Sequence, residues 1–311
     1  MEVLVSSAIM LVILIGVSSV INMVSSTYRR TMGASDSFES ARTAFDTMAR
    51  IIRQATLNSY LGYDHPDSPG NFQLKSDLQF VVGPQKSLDL GVDADSTGAD
   101  NSFAVFFQAP LGTADTVTRA HALLVSTGFL IVHSDDPLRP TILENRVPQR
   151  HRYRLYQFIE PREESSIYSY TITDSNGVPI PNDAYRGYDW FSKKVKTRKS
   201  IHPLAENVIG LVIWPVYEGR PEEHWNSRDA NAANSYNRLP QALEMALAVI
   251  DEASAVRLEE SQNGDLMADL FTTPSSFVAD LQKLEKRMAE LHLNYRIFRT
   301  TLPLDASNTR L

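Results

Sequence analysis

The sequence predicts an α+β protein in which a long N-terminal helix, hydrophobic at first and amphipathic later, packs on a large β-rich head with one late helix. Three observations in the 311-residue sequence support this fold class. An uncharged run opens the chain, a helical stripe of apolar residues follows, and short strand-like segments separated by Gly, Pro, Asp and Asn fill most of the remainder. We therefore divide the chain into residues 1–28, 29–57 and 58–311, which are the apolar half of the helix, its amphipathic half and the head.

The apolar half of the helix has no charged side chain between Glu2 and Arg29, a run of 26 residues. At about 1.5 Å per residue this helix spans about 39 Å, more than the roughly 30 Å hydrocarbon core of a bilayer. We expect it to cross a membrane. The residues expected to line this membrane or filament-core segment are Val3, Leu4, Ile9, Leu11, Ile13, Leu14 and Gly16.

Two other interpretations of the apolar run are a buried core helix and a cleavable secretory signal. A core helix rarely continues beyond about twenty residues without a charge. A secretory signal starts with basic residues and ends at an A-x-A site, whereas this chain opens with Glu2 and has no such site. The membrane-spanning interpretation is therefore preferred.

The amphipathic half carries one apolar stripe at helical spacing, with charged residues such as Arg42 and Asp46 on the other face. We expect this stripe to pack against the head and the helix to continue to about Leu57. Gly16 and Gly33 are the expected positions of bending, because glycine is a weak helix former. The head-packing stripe consists of Phe38, Ala41, Phe45, Met48 and Ile52.

The head is predicted to be β-rich, with a late helix that has an apolar stripe of its own. Thr273 is the expected cap of this helix, and Pro274 is expected in its first turn. We expect the stripe to face the head's core, and the alternative is that it packs against a partner helix. The stripe consists of Phe277, Leu281, Leu284, Met288 and Leu291. The predicted strands are Leu78–Val82, Phe103–Gln108, Phe129–His133, Tyr153–Ile159, Val208–Pro215, Leu243–Ile250 and Tyr295–Leu302.

The composition argues against nucleic-acid binding, cofactor chemistry and catalysis. A net charge of -7 and a pI near 5.5 provide no basic surface for nucleic acid. The absence of cysteine excludes disulfides and thiolate metal sites. The seven histidines have no zinc-site spacing, and neither a phosphate-binding loop nor a nucleophile elbow is present. We expect no enzymatic activity and no cofactor.

Two local segments are weaker candidates for binding. Asp93, Asp95 and Asp100 offer oxygen ligands for calcium, yet Ala104 stands where an EF-hand requires a glutamate, so a solvated loop is favoured. Residues 182–200 place four aromatic residues before five basic ones. Such a segment can stack on single-stranded nucleic acid. Because the chain as a whole is acidic, we favour aromatic residues that pack on the core and basic residues that lie in a solvent-exposed loop.

An apolar segment opened by Glu2-Val3-Leu4-Val5 and continued by an amphipathic helix resembles the N-terminus of type IV pilins and type II secretion pseudopilins. The resemblance implies that Glu2 pairs with the amino terminus of a neighbouring subunit and sets the axial register. It implies other pilin-like subunits as partners, insertion in the inner membrane before assembly, and cleavage by a prepilin peptidase if a leader precedes Met1. The family's basic leader, its Gly and its Phe are absent here, and we expect the natural start to lie upstream of Met1.

Longer stretches of the chain resemble a narrower group of prepilin-type proteins, the Verru_Chthon cassette protein C family. The stretches are ARTAFDTMARIIRQATLNSYLGYD, FFQAPLG, HRYRLYQF, PLAENVIGLVI, LPQALEMALAVIDEASAVRL and LNYRIFRTTLPL. This resemblance implies a single-pass inner-membrane protein with a periplasmic or extracellular head. The expected function is a structural subunit, minor or tip-proximal, of a pilus-like or pseudopilus-like filament. The alternative is a membrane-tethered extracytoplasmic binding or adhesion protein that does not polymerise.

Overall fold

The structure, a computed structural model, describes residues 2–63, 70–88, 90, 101–112, 123–136, 140, 142, 146, 149–161, 165, 167, 171–173, 179–181, 189–198, 200–261 and 265–304. Within these ranges the side chains at 2–5, 8–9, 26, 29–31, 171–173, 179–181 and 189 are not described. The chain is a mixture of helix and antiparallel sheet, as the α+β prediction requires.

Helix α1 extends over Glu2–Ile52 and is continuous through Gly16 and Gly33. Its 51 residues give it a length of about 77 Å. The helix ends five residues before the predicted end because the backbone N–H of Thr56 donates to the carbonyl of Gln108 at 3.0 Å, which draws the chain into the sheet. Among the residues that the structure describes, no helix combines the length and the apolarity that a membrane span requires.

All seven predicted strands are present, with bounds that differ by a few residues. The strands are β1 (Tyr60–Tyr63), β2 (Phe72–Lys75), β3 (Val81–Pro84), β4 (Phe103–Ala109), β5 (Val125–Ser134), β6 (Arg152–Glu160), β7 (Thr171–Thr173), β8 (Pro179–Pro181), β9 (Ile201–Glu206), β10 (Val208–Tyr217), β11 (Arg220–Pro221), β12 (Trp225–Asn226), β13 (Ala242–Ile250) and β14 (Tyr295–Pro303). The other helices are α2 (Asp189–Lys196), α3 (Glu252–Glu260) and α4 (Phe277–Glu290).

Two large antiparallel sheets form the centre of the head, and β1 with β2 and β7 with β8 form two further sheets of two strands each. The larger has the order β12-β3-β4-β5-β6-β9 and the smaller β11-β10-β13-β14. Strand β10 of the smaller sheet lies against β3, β4, β5 and β6 of the larger one, and the rings of Phe103 and Trp214 meet there edge to face at 4.6 Å. The main core lies between the two sheets and includes residues of α1, α3 and α4.

A second, smaller core covers the opposite face of the larger sheet. Helix α2 supplies Trp190, Phe191 and Val195 to this cluster, all of them at most 1% exposed. The ring of Phe191 stacks on that of Phe106 in β4 at 3.9 Å. Trp190 and Phe191 of the aromatic and basic segment therefore pack on the outer face of the larger sheet.

Helix α4 agrees with the predicted late helix in position and in its buried face. Phe277, Leu281, Leu284 and Met288 are buried in the main core, and Leu291 is half-buried. Thr273 is the N-cap residue of a 3-10 turn at Pro274–Ser276 that leads directly into α4, and Pro274 stands in its first turn as predicted, but the Thr273 side chain makes no capping hydrogen bond to the backbone. The Asp280 carboxylate within α4 accepts hydrogen bonds from the Ser276 hydroxyl and from the Phe271 N–H.

Candidate functional site

The first half of α1 presents large apolar side chains that no other described part of the chain covers. Their exposed fractions run from 47% to 69%, on every side of the helix. An exposed apolar surface of this extent marks a contact with a membrane or a partner protein. The residues are Met10, Leu11, Val12, Ile13, Leu14, Ile15, Val17, Val20, Ile21, Met23, Val24, Tyr28 and Met32.

The second half of α1 is held in the head. Its stripe of Phe38, Ala41, Phe45, Met48 and Ile52 is at most 6% exposed and belongs to the main core.

The edge strand β14 supports this packing from the side. The Phe298 ring stacks on the Phe45 ring at 6.2 Å, and the Arg296 guanidinium carbon lies 5.0 Å from the centroid of the Phe38 ring. Such aromatic and cation–π pairs add about 0.5–1.5 kcal/mol each to the apolar burial. The head is thus attached to one half of a helix whose other half protrudes.

The remaining predicted site residues divide into those the structure describes and those it does not. Leu11, Ile13 and Leu14 are exposed, and a Cβ at Gly16 would meet nothing within 4 Å. The side chains of Glu2, Val3, Leu4 and Ile9 lie outside the described residues, as do Asp93, Asp95 and Asp100 of the calcium candidate. Among the described residues, no group of three or more histidine or carboxylate side chains is placed to hold a metal ion.

The aromatic and basic segment at 182–200 is arranged for packing over the part that the structure describes. Trp190 is 1% exposed, and its indole N–H donates to Gln79 Oε1 at 2.8 Å. Lys194 forms an ion pair with the fully buried carboxylate of Glu160 at the end of β6, and burial lowers the pKa of Lys194. Lys193 and Lys196 face solvent. The two buried aromatic rings of α2 are therefore not open to a stacking ligand.

The structure brings together a charged cluster that no sequence pattern indicated. The Arg152 side chain is 5% exposed and bonds the Glu259 carboxylate at 2.5 Å and the Glu252 carboxylate at 3.2 Å. Burial alone would raise the pKa of Glu259, but the hydrogen bond and charge of Arg152 outweigh it and hold that pKa below its ordinary value. Asn207 also donates to Glu252, at 3.0 Å. The cluster joins β6 to both ends of α3.

Beside this cluster, His133 and Tyr153 stack across β5 and β6 with ring centroids 4.1 Å apart. Burial, reinforced by the neighbouring His151 and the guanidinium groups of Arg152 and Arg154, lowers the pKa of His133. Burial raises the pKa of Tyr153 to about 12. His133 is thus held neutral near pH 7, in a role that fits packing at this end of the sheet.

The head also has an open groove of about 540 Å³ in the excursion between β11 and the turns after β12. Its walls include the carboxylates of Glu222, Glu223 and Asp229, together with the ring of Trp225. Because carboxylates line this groove, it would suit a cationic ligand better than an anionic one.

A scan of protein-family profiles found no match to this chain, and a search of curated proteins found no similar sequence.

Proposed function

We propose that this chain is a structural subunit, minor or tip-proximal, of a type IV pilus-like or type II secretion pseudopilus-like filament. The contrast within α1 carries the proposal, because one half of the helix anchors the head while the other half exposes apolar side chains all round. A subunit that waits in a membrane and then packs helix against helix needs both halves.

The energetics favour two successive environments for the exposed half. Each large apolar side chain that becomes fully buried contributes about 1.5–3 kcal/mol, so a membrane or a bundle of neighbouring helices is strongly preferred to water. Inside either environment a carboxylate costs several kcal/mol unless it is paired. The pilin resemblance assigns Glu2 to pairing with a neighbour's amino terminus, which an assembly would supply.

The head supports a minor or terminal position. It takes up residues 58–311, most of the chain, and its two large sheets give it a bulk that a repeating filament would have to place at every step. The proposal also includes insertion in the inner membrane before assembly, pilin-like subunits as partners, and a head that lies outside the cytoplasm.

Photo-crosslinking tests it in the full-length protein. A photoreactive amino acid at Leu14 should capture a second pilin-like subunit in the membrane fraction, while the same group at Val278, 58% exposed on α4, should capture none. Glu2→Gln should leave the protein in the membrane and reduce the captured multimers about tenfold, if the pairing is worth about 1.4 kcal/mol.

The groove at Glu222, Glu223 and Asp229 favours a second candidate, a membrane-tethered binding protein. In that case Leu14 would crosslink no subunit above the Val278 background, and Glu2→Gln would change nothing. Recovery of the protein without any membrane or filament association would refute both functions.

A further inference from the structure

The strand β14 lies at the edge of the smaller sheet and leaves one side of its backbone open. At one end of the strand the N–H of Asp251 donates to the carbonyl of Asn294 at 3.1 Å. At the other end the N–H of Leu304 donates to the carbonyl of Gln241 at 3.0 Å, and the antiparallel register between β13 and β14 has no bulge. Because hydrogen bonding alternates along an antiparallel strand, the even-numbered residues of β14 bond to β13. The odd-numbered residues point their N–H and C=O groups outward.

The outward groups are available along the whole strand. In the part of the chain that the structure describes, no strand pairs with this edge and no hydrogen bond reaches the outward N–H groups. An open row of N–H and C=O groups is a template for one kind of partner, an extended strand. The outward N–H groups belong to Tyr295, Ile297, Arg299 and Thr301.

The other edges of the two large sheets are protected from such a partner. Strands β11 and β12 have two residues each. Strand β9 contains Pro203, pairs with β6 through an irregular register and lies against α1. Strand β14 has nine residues, and its one proline is Pro303 at the end. Natural sheets shorten, bend or cover the edges that must stay unpaired, so β14 is the edge that this fold leaves for pairing.

Packing holds β14 in place without covering its edge. The ring of Phe298 stacks on that of Phe45 in α1 on one face of the strand. On the other face the guanidinium carbon of Arg299 lies 5.3 Å from the centroid of the Phe277 ring in α4. The two helices therefore contact the two faces of β14 and fix its extended conformation. A strand that is already ordered binds a partner with less loss of conformational entropy.

Two arginines give the edge a preference for charge. Arg296 and Arg299 are exposed, lie on opposite faces of β14, and contact the rings of Phe38 and Phe277. No carboxylate among the described residues forms an ion pair with either guanidinium. Opposite charges directly across a strand pair stabilise the pair, and like charges destabilise it. The edge therefore disfavours a basic strand and favours one with a carboxylate opposite each arginine.

A second copy of β14 does not meet these requirements. Two β14 strands paired antiparallel are related by a two-fold axis perpendicular to the sheet, and this axis also reverses the direction of α1. The exposed apolar halves would then point in opposite directions, which one membrane or one filament could not hold; this step rests on the proposed function. The pair would also bring the arginines of both copies to one seam. The occupant is therefore a strand of a different polypeptide.

We propose that the outer edge of β14 binds an extended, acidic segment of another polypeptide, which adds to the four-stranded sheet as a further strand. Main-chain hydrogen bonds to the outward N–H and C=O groups supply the affinity, and carboxylates opposite Arg296 and Arg299 select the segment. The head thereby has a recognition site that goes beyond a role in filament structure.

Peptide binding tests the site in the full-length protein, solubilised in detergent. The probe is a capped synthetic peptide of valine and threonine with two glutamates spaced as Arg296 and Arg299 are, and the control peptide has lysine in place of both glutamates. Residue-resolved amide hydrogen exchange is measured. At about ten times the Kd of the glutamate peptide, the outward N–H groups should exchange about tenfold more slowly, because only the unbound fraction exchanges. The N–H groups that bond to β13 should be unchanged, and the lysine peptide should have no effect.

Two variants separate the contribution of the backbone from that of charge. Ile297→Pro removes one outward N–H and leaves the bonds to β13 in place, so it should weaken the glutamate peptide at least about tenfold, whereas Ile297→Val should retain it. Arg296→Glu combined with Arg299→Glu should lose the glutamate peptide and bind the lysine peptide instead. Slow exchange at the N–H groups that bond to β13 checks that each variant is folded.

Three outcomes would overturn the proposal. The first is unchanged exchange of the outward N–H groups with the glutamate peptide, and the second is equal slowing with the lysine peptide. Both are measured on the natural chain, so neither depends on the folding of a variant. The third is protection of these groups without any peptide that increases with protein concentration and is lost in Ile297→Pro, because it would assign the edge to a second copy.

The proposed filament function fails separately from this site. Capture of another subunit from Leu14 does not use the edge of β14, so its persistence beside a failed peptide experiment would leave the filament function standing. Loss of the capture from Leu14 would refute that function, and the peptide measurement on the solubilised protein would still decide whether the edge binds an acidic strand.

Discussion

Between Met10 and Met32 the large apolar side chains of α1 are 47–69% exposed, whereas the stripe from Phe38 to Ile52 is at most 6% exposed. Both halves belong to one uninterrupted helix. The difference lies in the width of the apolar surface, which is all round in the first half and a single stripe in the second. Both halves therefore form helix, and the distribution of apolar side chains around the helix decides which half the head can cover.

The largest effect should come from removing a ring of the buried half. Phe45→Ala should lower the free energy of unfolding of the head by about 3–5 kcal/mol, because it leaves a cavity beside Phe298. Leu14→Ala, the matched change in the exposed half, should alter it by less than about 0.5 kcal/mol. Urea unfolding of the full-length protein in detergent, followed by the fluorescence of the buried tryptophans, measures both. Equal losses would mean that the stability of the head depends on both halves of α1.

An intermediate effect should come from the charged cluster of the head. Arg152→Ala should cost about 1–3 kcal/mol, because two carboxylates lose the buried cation that holds them together, although both still reach solvent. Arg42→Ala on α1 breaks a pair whose side chains are 73% and 71% exposed, and should cost at most about 0.5 kcal/mol. Thermal unfolding of both variants under the same conditions distinguishes them. A larger loss of stability in Arg42→Ala than in Arg152→Ala would contradict this prediction.

The smallest effect is the dependence of the head's stability on pH. The apolar half of α1 should show no such dependence, because it has no histidine or charged side chain between Glu2 and Arg29. The pKa of His133 is lower in the folded head than its ordinary value of 6.5. The unfolded chain therefore takes up this proton first as the pH falls, so the stabilisation is present above 6.5 and declines below it, down to the folded pKa.

His133→Gln should flatten the dependence of the unfolding midpoint on pH between about pH 7 and pH 5. His202→Gln, at an exposed position of β9, is the control and should leave that slope unchanged. Membrane association through α1 should stay constant over the same range. A slope that survives in His133→Gln would assign the pH dependence to other groups.

Much of the local structure could be predicted from residue patterns. Short apolar segments separated by Gly, Pro, Asp and Asn, such as 103–108 and 243–250, predicted strands, and the spacing of Phe277, Leu281, Leu284 and Met288 predicted α4. Strand β9 was missed because its sequence IHPLAE contains proline and only weak alternation. Helix α3 was also missed, although its start carries a local signal, because Asp251 is a favoured capping residue type and accepts from the Ser254 N–H at 2.8 Å.

The candidate site divides in the same way. The exposed apolar half of α1 follows from composition along one stretch of chain. The Arg152 cluster does not, because Glu252 and Glu259 stand 100 and 107 residues away from Arg152 in sequence. Sequence patterns report neighbours along the chain, and such a pair leaves no periodic signal.

The sequence by itself determined the uncharged first half of α1, the helical stripe that follows it and the short apolar strands of the head, because each depends on side chains within a few turns or one strand. Only the tertiary structure decided that β12 pairs with β3, that Trp190 and Phe191 seal the outer sheet face, and that a buried arginine joins β6 to α3. These features depend on which distant segments share a core, and that choice is made by packing between segments far apart in the chain.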